Sequence, residues 1–380
     1  MSTDIAARWA AREGVRTEEA VRTPKSRFRF YKPFVSAVDT YVREAQDGER
    51  IYFGIPEFDT QIRGIGKSQL CIINGYSHSG KTLLLAHILR HNRRKRFAYY
   101  TPDEPAHLVL AKLAALQSGV PADEIEDLVA AGNEEAIAIL RDTALREFPN
   151  LVVFEQSVRS EEMDEALDEA EAVWGAKAEC VVLDYLELLQ AGDTVAAKGE
   201  FVKSFCTRRE VPFILIHQTS RSQGADGKKQ TISSGAYGGE QLATFQLGVW
   251  RKKAAIVAEL EELNDRIARA ANGGSEAALE RRDSLLHELE RHQFTVSVAI
   301  TKNKRPGRRE GREEIDFELF GDTGLLVPLD EGDLPRQYLA KLQAQRQHAV
   351  AEVTAPVQQW SEPTLDEAYD TNPYDPYGDF

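Results

Sequence analysis

The chain's pattern predicts an α/β fold with a mainly parallel central sheet, and three observations carry that prediction. Short apolar runs at 70–73, 97–101, 151–154, 180–183 and 211–216 alternate with helical stretches, as in a sheet covered on both faces. The first run feeds Gly75-x-x-x-x-Gly80-Lys81-Thr82 and then an apolar helical stretch, Leu83 to Leu89. A later run, Cys180 to Leu183, ends in Asp184.

Strand, glycine-rich turn and helix together are the context of a phosphate-binding loop. Gly75 and Gly80 let the backbone curl so that successive N–H groups face phosphate oxygens. The helix beginning near Lys81 adds its positive dipole end. Gly75, Tyr76, Ser77, His78, Ser79, Gly80, Lys81 and Thr82 are therefore the expected ATP-binding residues. Lys81 would reach the β- and γ-phosphates and Thr82 would ligate Mg²⁺. Asp184, at the carboxyl end of its strand, would hold the same metal through water.

Composition sets wider limits. With 380 residues and 42% hydrophobic content, the chain can build one large domain with additions, or two domains. No apolar run approaches the roughly 18 residues of a membrane span, and the amino terminus lacks the apolar core of a secretory signal. Cys71, Cys180 and Cys206 are widely spaced and read as core residues of a reducing compartment. A cytoplasmic protein without membrane contact is expected. The net charge of −14 argues against a surface that is basic all over, but the charge is uneven. The last twenty residues carry six acidic groups and no basic one, whereas 302–312 hold Lys302, Lys304, Arg305, Arg308, Arg309 and Arg312.

Taken in order, residues 1–50 read as an arm followed by a helix whose apolar stripe is Phe34, Val35, Val38, Tyr41 and Val42. That stripe packs either on its own domain or on a neighbouring subunit. The charge run Arg90 to Arg96 reads as a solvated helix end. After the strand at 97–101 come Asp103 and Glu104, placed to activate water against a γ-phosphate or to cap the next helix. A thin apolar face puts the acidic helix from about 160 to 176 on the domain surface. Gln218 ends the fourth parallel strand where it could sense a γ-phosphate. The Gly- and Ser-rich stretch 219–239, with Arg221, Lys228 and Lys229, reads as a nucleic-acid contact. Residues 255–292 form an αα-hairpin, with Val257, Leu260, Leu263 and Ile267 as one stripe and Leu279, Leu286 and Leu289 as the other. Strands at 294–301 and a closing β-hairpin at 313–327 complete the domain. Residues 331–380 read as a polar helix and a disordered acidic tail.

Several blocks together resemble one family. The phosphate loop, Leu183-Asp-Tyr-Leu-Glu-Leu188, Val211-Pro-Phe-Ile-Leu-Ile-His-Gln218, Ser234-Gly-Ala-Tyr-Gly-Gly-Glu240 and Ala299-Ile-Thr-Lys-Asn-Lys-Arg-Pro-Gly307 are similar in type and order to the motor domain of DnaB-like replicative helicases. The resemblance spans about 50–330 and implies a RecA-like ATPase core over 51–330. It further implies Mg-ATP on Lys81, Thr82 and Asp184, a catalytic base at Asp103 or Glu104, and coupling of the γ-phosphate to DNA through Gln218. Lys302, with Lys304 or Arg305, would act on a neighbour's ATP; arginine is the better planar clamp, which favours Arg305. The implied partners are single-stranded DNA at a replication fork and further copies of the chain in a hexameric ring. A primase, loader or polymerase would bind through the arm or the acidic tail. The alternatives are an ATPase coating DNA as an open filament, or one that uses nucleotide as an assembly switch.

Overall fold

The computed structural model describes residues 35, 37–46, 50–156, 159–219, 241–270, 275–305 and 314–329. The chain divides into two units, Met1–Gly48 and Glu49–Phe380. In the first, helix α1 (Ala37–Gln46) leaves Val38, Tyr41 and Val42 exposed.

The second unit starts with α2 (Pro56–Ile62), whose Phe58 and Ile62 are buried. It continues through β1 (Leu70–Gly75), α3 (Lys81–His91), β2 (Phe97–Tyr100), α4 (Ala106–Ser118), α5 (Ala122–Ala130) and α6 (Glu134–Asp142). Next are β3 (Leu151–Phe154), α7 (Glu162–Trp174), β4 (Cys180–Leu183), α8 (Val195–Arg209), β5 (Phe213–Gln218) and β6 (Phe245–Trp250). The described residues end with α9 (Lys252–Arg269), α10 (Glu276–Arg291), β7 (Thr295–Asn303), β8 (Glu314–Phe320) and β9 (Leu325–Pro328).

The strands form one nine-stranded sheet, ordered β3-β2-β4-β5-β1-β6-β7-β8-β9. Pairings from β3 to β6 are parallel, and those from β6 to β9 are antiparallel. Alternate residues of β1 feed opposite cores, as the two-residue period of a strand requires. Cys71 and Ile73 join Leu84, Ile88 and Leu113 of α3 and α4 on one face. Leu70 and Ile72 join Met163, Leu167, Val202 and Phe205 of α7 and α8 on the other. A strand covered on both faces must be apolar throughout, which explains the unbroken run before the phosphate loop.

Two expectations are corrected. The helical hairpin packs through Ile256, Leu260, Leu263 and Leu285. Leu286, assigned to the stripe from the sequence, is exposed. Leu285, not Leu286, lies seven residues after Ala278 and four before Leu289, and those two pack on the same cluster. The run Arg90 to Arg96 is paired, not merely solvated. Arg93 meets Glu147 at 2.9 Å, Arg96 meets Glu179 at 3.2 Å, and Arg90 donates to Gln117 at 3.2 Å. These contacts tie the end of α3 to α4 and to the segment before β3, and the approach to β2 to the segment before β4.

Candidate nucleotide site

The site forms at the carboxyl ends of β2, β4, β5 and β1, which are neighbours in that order. At Gly75 a Cβ would fall 2.3 Å from the Val249 carbonyl oxygen and 2.5 Å from Ser79 Oγ, so only glycine fits. Gly80 turns the chain with φ of 104° and leads into α3, which has no side-chain cap. The first N–H groups of α3 are thus open to an anion. Tyr76 and Ser79 are buried within the loop, while Ser77 and His78 face outward. Ser79 Oγ is buried without a hydrogen-bond partner. An open helix terminus and an orphaned buried hydroxyl in a glycine-bounded cradle fit a nucleotide phosphate.

Lys81 stands at the same terminus and donates to the Tyr76 carbonyl at 2.6 Å. Burial pulls its pKa down to about 8, opposed by the negative charges of Asp184 and Glu187. Thr82 Oγ1 donates to Asp184 Oδ2 at 3.3 Å, and Tyr99 OH donates to the same oxygen at 3.1 Å. Asp184 is 7% exposed. Burial pushes its pKa up, and Tyr99, Lys81 and Thr82 pull it back. A carboxylate oriented by two hydroxyls beside a threonine at the phosphate loop suits a hydrated divalent cation.

Asp103 and Glu104 follow β2, and neither caps α4. Glu155, after β3, takes that role by accepting the Ala106 N–H at 2.8 Å. Glu104 is the inner of the two. It lines a small cleft between α3 and α4 with Thr82, Tyr99 and Lys112, forms an ion pair with Lys112, and adds to the upward pressure on the Asp184 pKa. Asp103 is exposed, and its charge adds to the burial that raises the Tyr185 pKa.

Gln218 pairs in register with Gly75, and the Thr219 N–H donates to the Gly75 carbonyl at 3.0 Å. The end of β5 is therefore held against the start of the phosphate loop. Arg221, Lys228 and Lys229 lie outside the described residues.

Lys302, Lys304 and Arg305 sit at the other end of the sheet. β7 runs antiparallel to β6, so Lys302 pairs with Gln246 near the beginning of β6. Arg305 donates to Gln69 Oε1 at 2.7 Å and to the Ile62 and Gly64 carbonyls at 3.0 Å, and it stacks over Phe245 at 5.4 Å. Lys304 makes one such contact, to the Gln241 carbonyl at 2.9 Å. Gln69 precedes β1 and Gly75 ends it, so the length of β1, roughly 20 Å at 3.3 Å per residue, separates this turn from its own phosphate loop.

Sequence reading missed Tyr99 and Arg251. Tyr99 sits in a fully buried apolar strand, where only its hydroxyl signals a polar task. Arg251 follows β6 next to the phosphate-loop side; burial lowers its pKa, and its Nε is buried without a partner.

Residues 51–235 match the family model described as DnaB-like helicase C terminal domain. No curated protein matches the chain. A solved DnaB-like replicative helicase, described with its interactions with primase, is similar over 77% of this chain and 66% of its own, at 16% identity and a TM-score of 0.55. This chain thus spans just under two thirds of that helicase. A solved ATPase domain is similar over 80% of this chain and all of its own length, at 17% identity and a TM-score of 0.56. At such identities the structures share the fold. Over residues 51–235, just under half of the chain, the sequence is similar to DnaB-like helicase C-terminal domains.

Proposed function

We propose that this protein is an Mg-ATP-driven DNA helicase whose subunits assemble into a ring, hydrolyse ATP at their boundaries and translocate on single-stranded DNA. The observation that carries the reading is the placement of the basic turn. Lys304 lies about a strand's length, and Lys302 about half of one, from the phosphate loop of their own chain, which supports a role at a neighbour's site.

Bound Mg-ATP would supply an electrophilic γ-phosphorus and a metal that neutralises developing charge. Lys81 and the open N–H groups of α3 would hold the phosphates. Thr82 and Asp184 would hold the metal, with Tyr99 fixing the carboxylate. Glu104 would accept a proton from the attacking water as the phosphorus–oxygen bond to ADP breaks. Lys304, which is less engaged within its own chain than Arg305, is the better candidate for reaching a neighbour's phosphate. Arg221, Lys228 and Lys229 would grip DNA phosphates, and several subunits each lending a few cations can do so despite the net charge of −14. The arm at 1–50 would link subunits, and the tail at 331–380 would contact a primase, loader or polymerase.

The test is ATP-dependent opening of a forked duplex by the wild type and by Lys81→Ala. Unwinding by the wild type alone is expected. Hydrolysis and strand binding without unwinding would favour a filament or a switch instead.

A further inference from the structure

Glu187 and His217 form a contact that the nucleotide-binding role does not use. Glu187 lies three residues beyond Asp184 in a short turn, Leu186–Leu188, and His217 is the penultimate residue of β5. His217 Nδ1 is 2.8 Å from Glu187 Oε1, and the same oxygen accepts the Gln218 backbone N–H at 3.2 Å. The two groups are within ion-pair range, while Nδ1 makes no aligned hydrogen bond and the Gln218 N–H supplies the one to Glu187. Lys198 Nζ, from α8, donates to the Glu187 carbonyl and braces the turn. His217 pairs in register with Asn74 and Gln218 with Gly75. The Glu187 charge also acts on Lys81. One side chain thus joins the segment after Asp184 to the end of β5 and lies within electrostatic reach of the phosphate lysine.

We propose that Glu187 and His217 are positioning residues that couple the DNA-contacting segments to ATP hydrolysis. The pair makes the turn after Asp184 and the exit from β5 move as one body. Displacement of either by a DNA strand then shifts Gln218 relative to the phosphate loop. A purely structural pair would stabilise the fold without changing how strongly DNA stimulates turnover. This role rests on the motor reading above.

The experiment measures ATP hydrolysis by the full chain, with and without an oligothymidine strand, in wild type, Glu187→Gln, His217→Gln and the double variant. Glu187→Gln preserves shape and packing, so it guards against loss of fold, and melting temperature is followed in parallel. In His217→Gln, which leaves the charge near Lys81 in place, basal kcat and the KM for ATP should stay within about twofold. DNA stimulation should fall about fivefold or more, the lower end of typical coupling between sites. The double variant should lose no more than either single, because all three break one link. Full stimulation in Glu187→Gln would overturn the proposal, as would losses that simply add. Absence of stimulation in the wild type would instead overturn the motor reading, and the pair's role with it.

Discussion

Arg305 reaches across the sheet to Gln69, donating to its Oε1 at 2.7 Å. Through Gln69, which also accepts the Gly66 N–H at 2.7 Å, the guanidinium fastens the exit of β7 to the entrance of β1. With the Ile62 and Gly64 carbonyls and the Phe245 ring also engaged, little of Arg305 is left to offer a neighbour. Arginine is the better clamp for phosphate in general, but here that planar fork is spent inside its own subunit.

The first prediction separates the two basic residues. Arg305→Ala should destabilise the fold by about 1–3 kcal/mol, since several charge-assisted hydrogen bonds to partly buried acceptors are lost. Lys304→Ala should leave stability within about 0.5 kcal/mol but depress hydrolysis in the assembled protein. Urea unfolding and steady-state ATPase assays on both variants check this; an Arg305→Ala protein of wild-type stability would contradict the stapling role.

Glu104 and Asp103 should likewise differ. Glu104→Gln removes the inner carboxylate and should lower kcat by about 10²-fold or more while keeping nucleotide binding. Asp103→Asn should stay within about threefold, since its side chain is exposed. Single-turnover hydrolysis with a separate nucleotide-binding titration makes the distinction.

Tyr99 acts on the metal through Asp184. Tyr99→Phe deletes the 3.1 Å hydrogen bond and little volume. The Mg²⁺ concentration for half-maximal hydrolysis should rise roughly tenfold, with kcat at saturating Mg²⁺ nearly restored. A magnesium titration that superimposes on the wild type would show that Thr82 alone orients the carboxylate.

His87 gives stability a pH dependence of known sign. Its Nε2 lies 3.2 Å from the Gly54 carbonyl, its Nδ1 is buried without a partner, and burial lowers its pKa below 6.5. As pH falls below 6.5 the unfolded chain takes up this proton before the folded chain does, so this contribution to stability is whole above 6.5 and lost below it. In urea unfolding at pH 7.5 and 5.5, the wild type should lose more stability on acidification than His87→Gln.

Much of this was legible before any coordinates. β4, over Cys180–Leu183, lies where its apolar run predicted it, because a strand buried on both faces can hardly be other than apolar. The phosphate loop was equally legible, since close backbone approach demands glycine at 75 and 80, and that chemistry is written locally. What could not be read depended on partners distant in the chain. Glu155 takes the capping role that Asp103 and Glu104 were free to fill, and it does so only because β3 pairs beside β2. The hairpin seam chose Leu285 over its neighbour Leu286 because a helix places side chains every 100°, and only the facing helix decides which of two adjacent leucines is covered.

The sequence by itself determined the α/β order, the phosphate loop and the carboxylate that follows the fourth strand, because each is set by residues near one another in the chain. Tertiary structure alone decided which basic residue is consumed as a staple, which carboxylate turns inward and that Glu187 meets His217. Those outcomes depend on contacts between separate elements, up to 236 positions apart for Arg305 and Gln69, and only the folded sheet sets such distances.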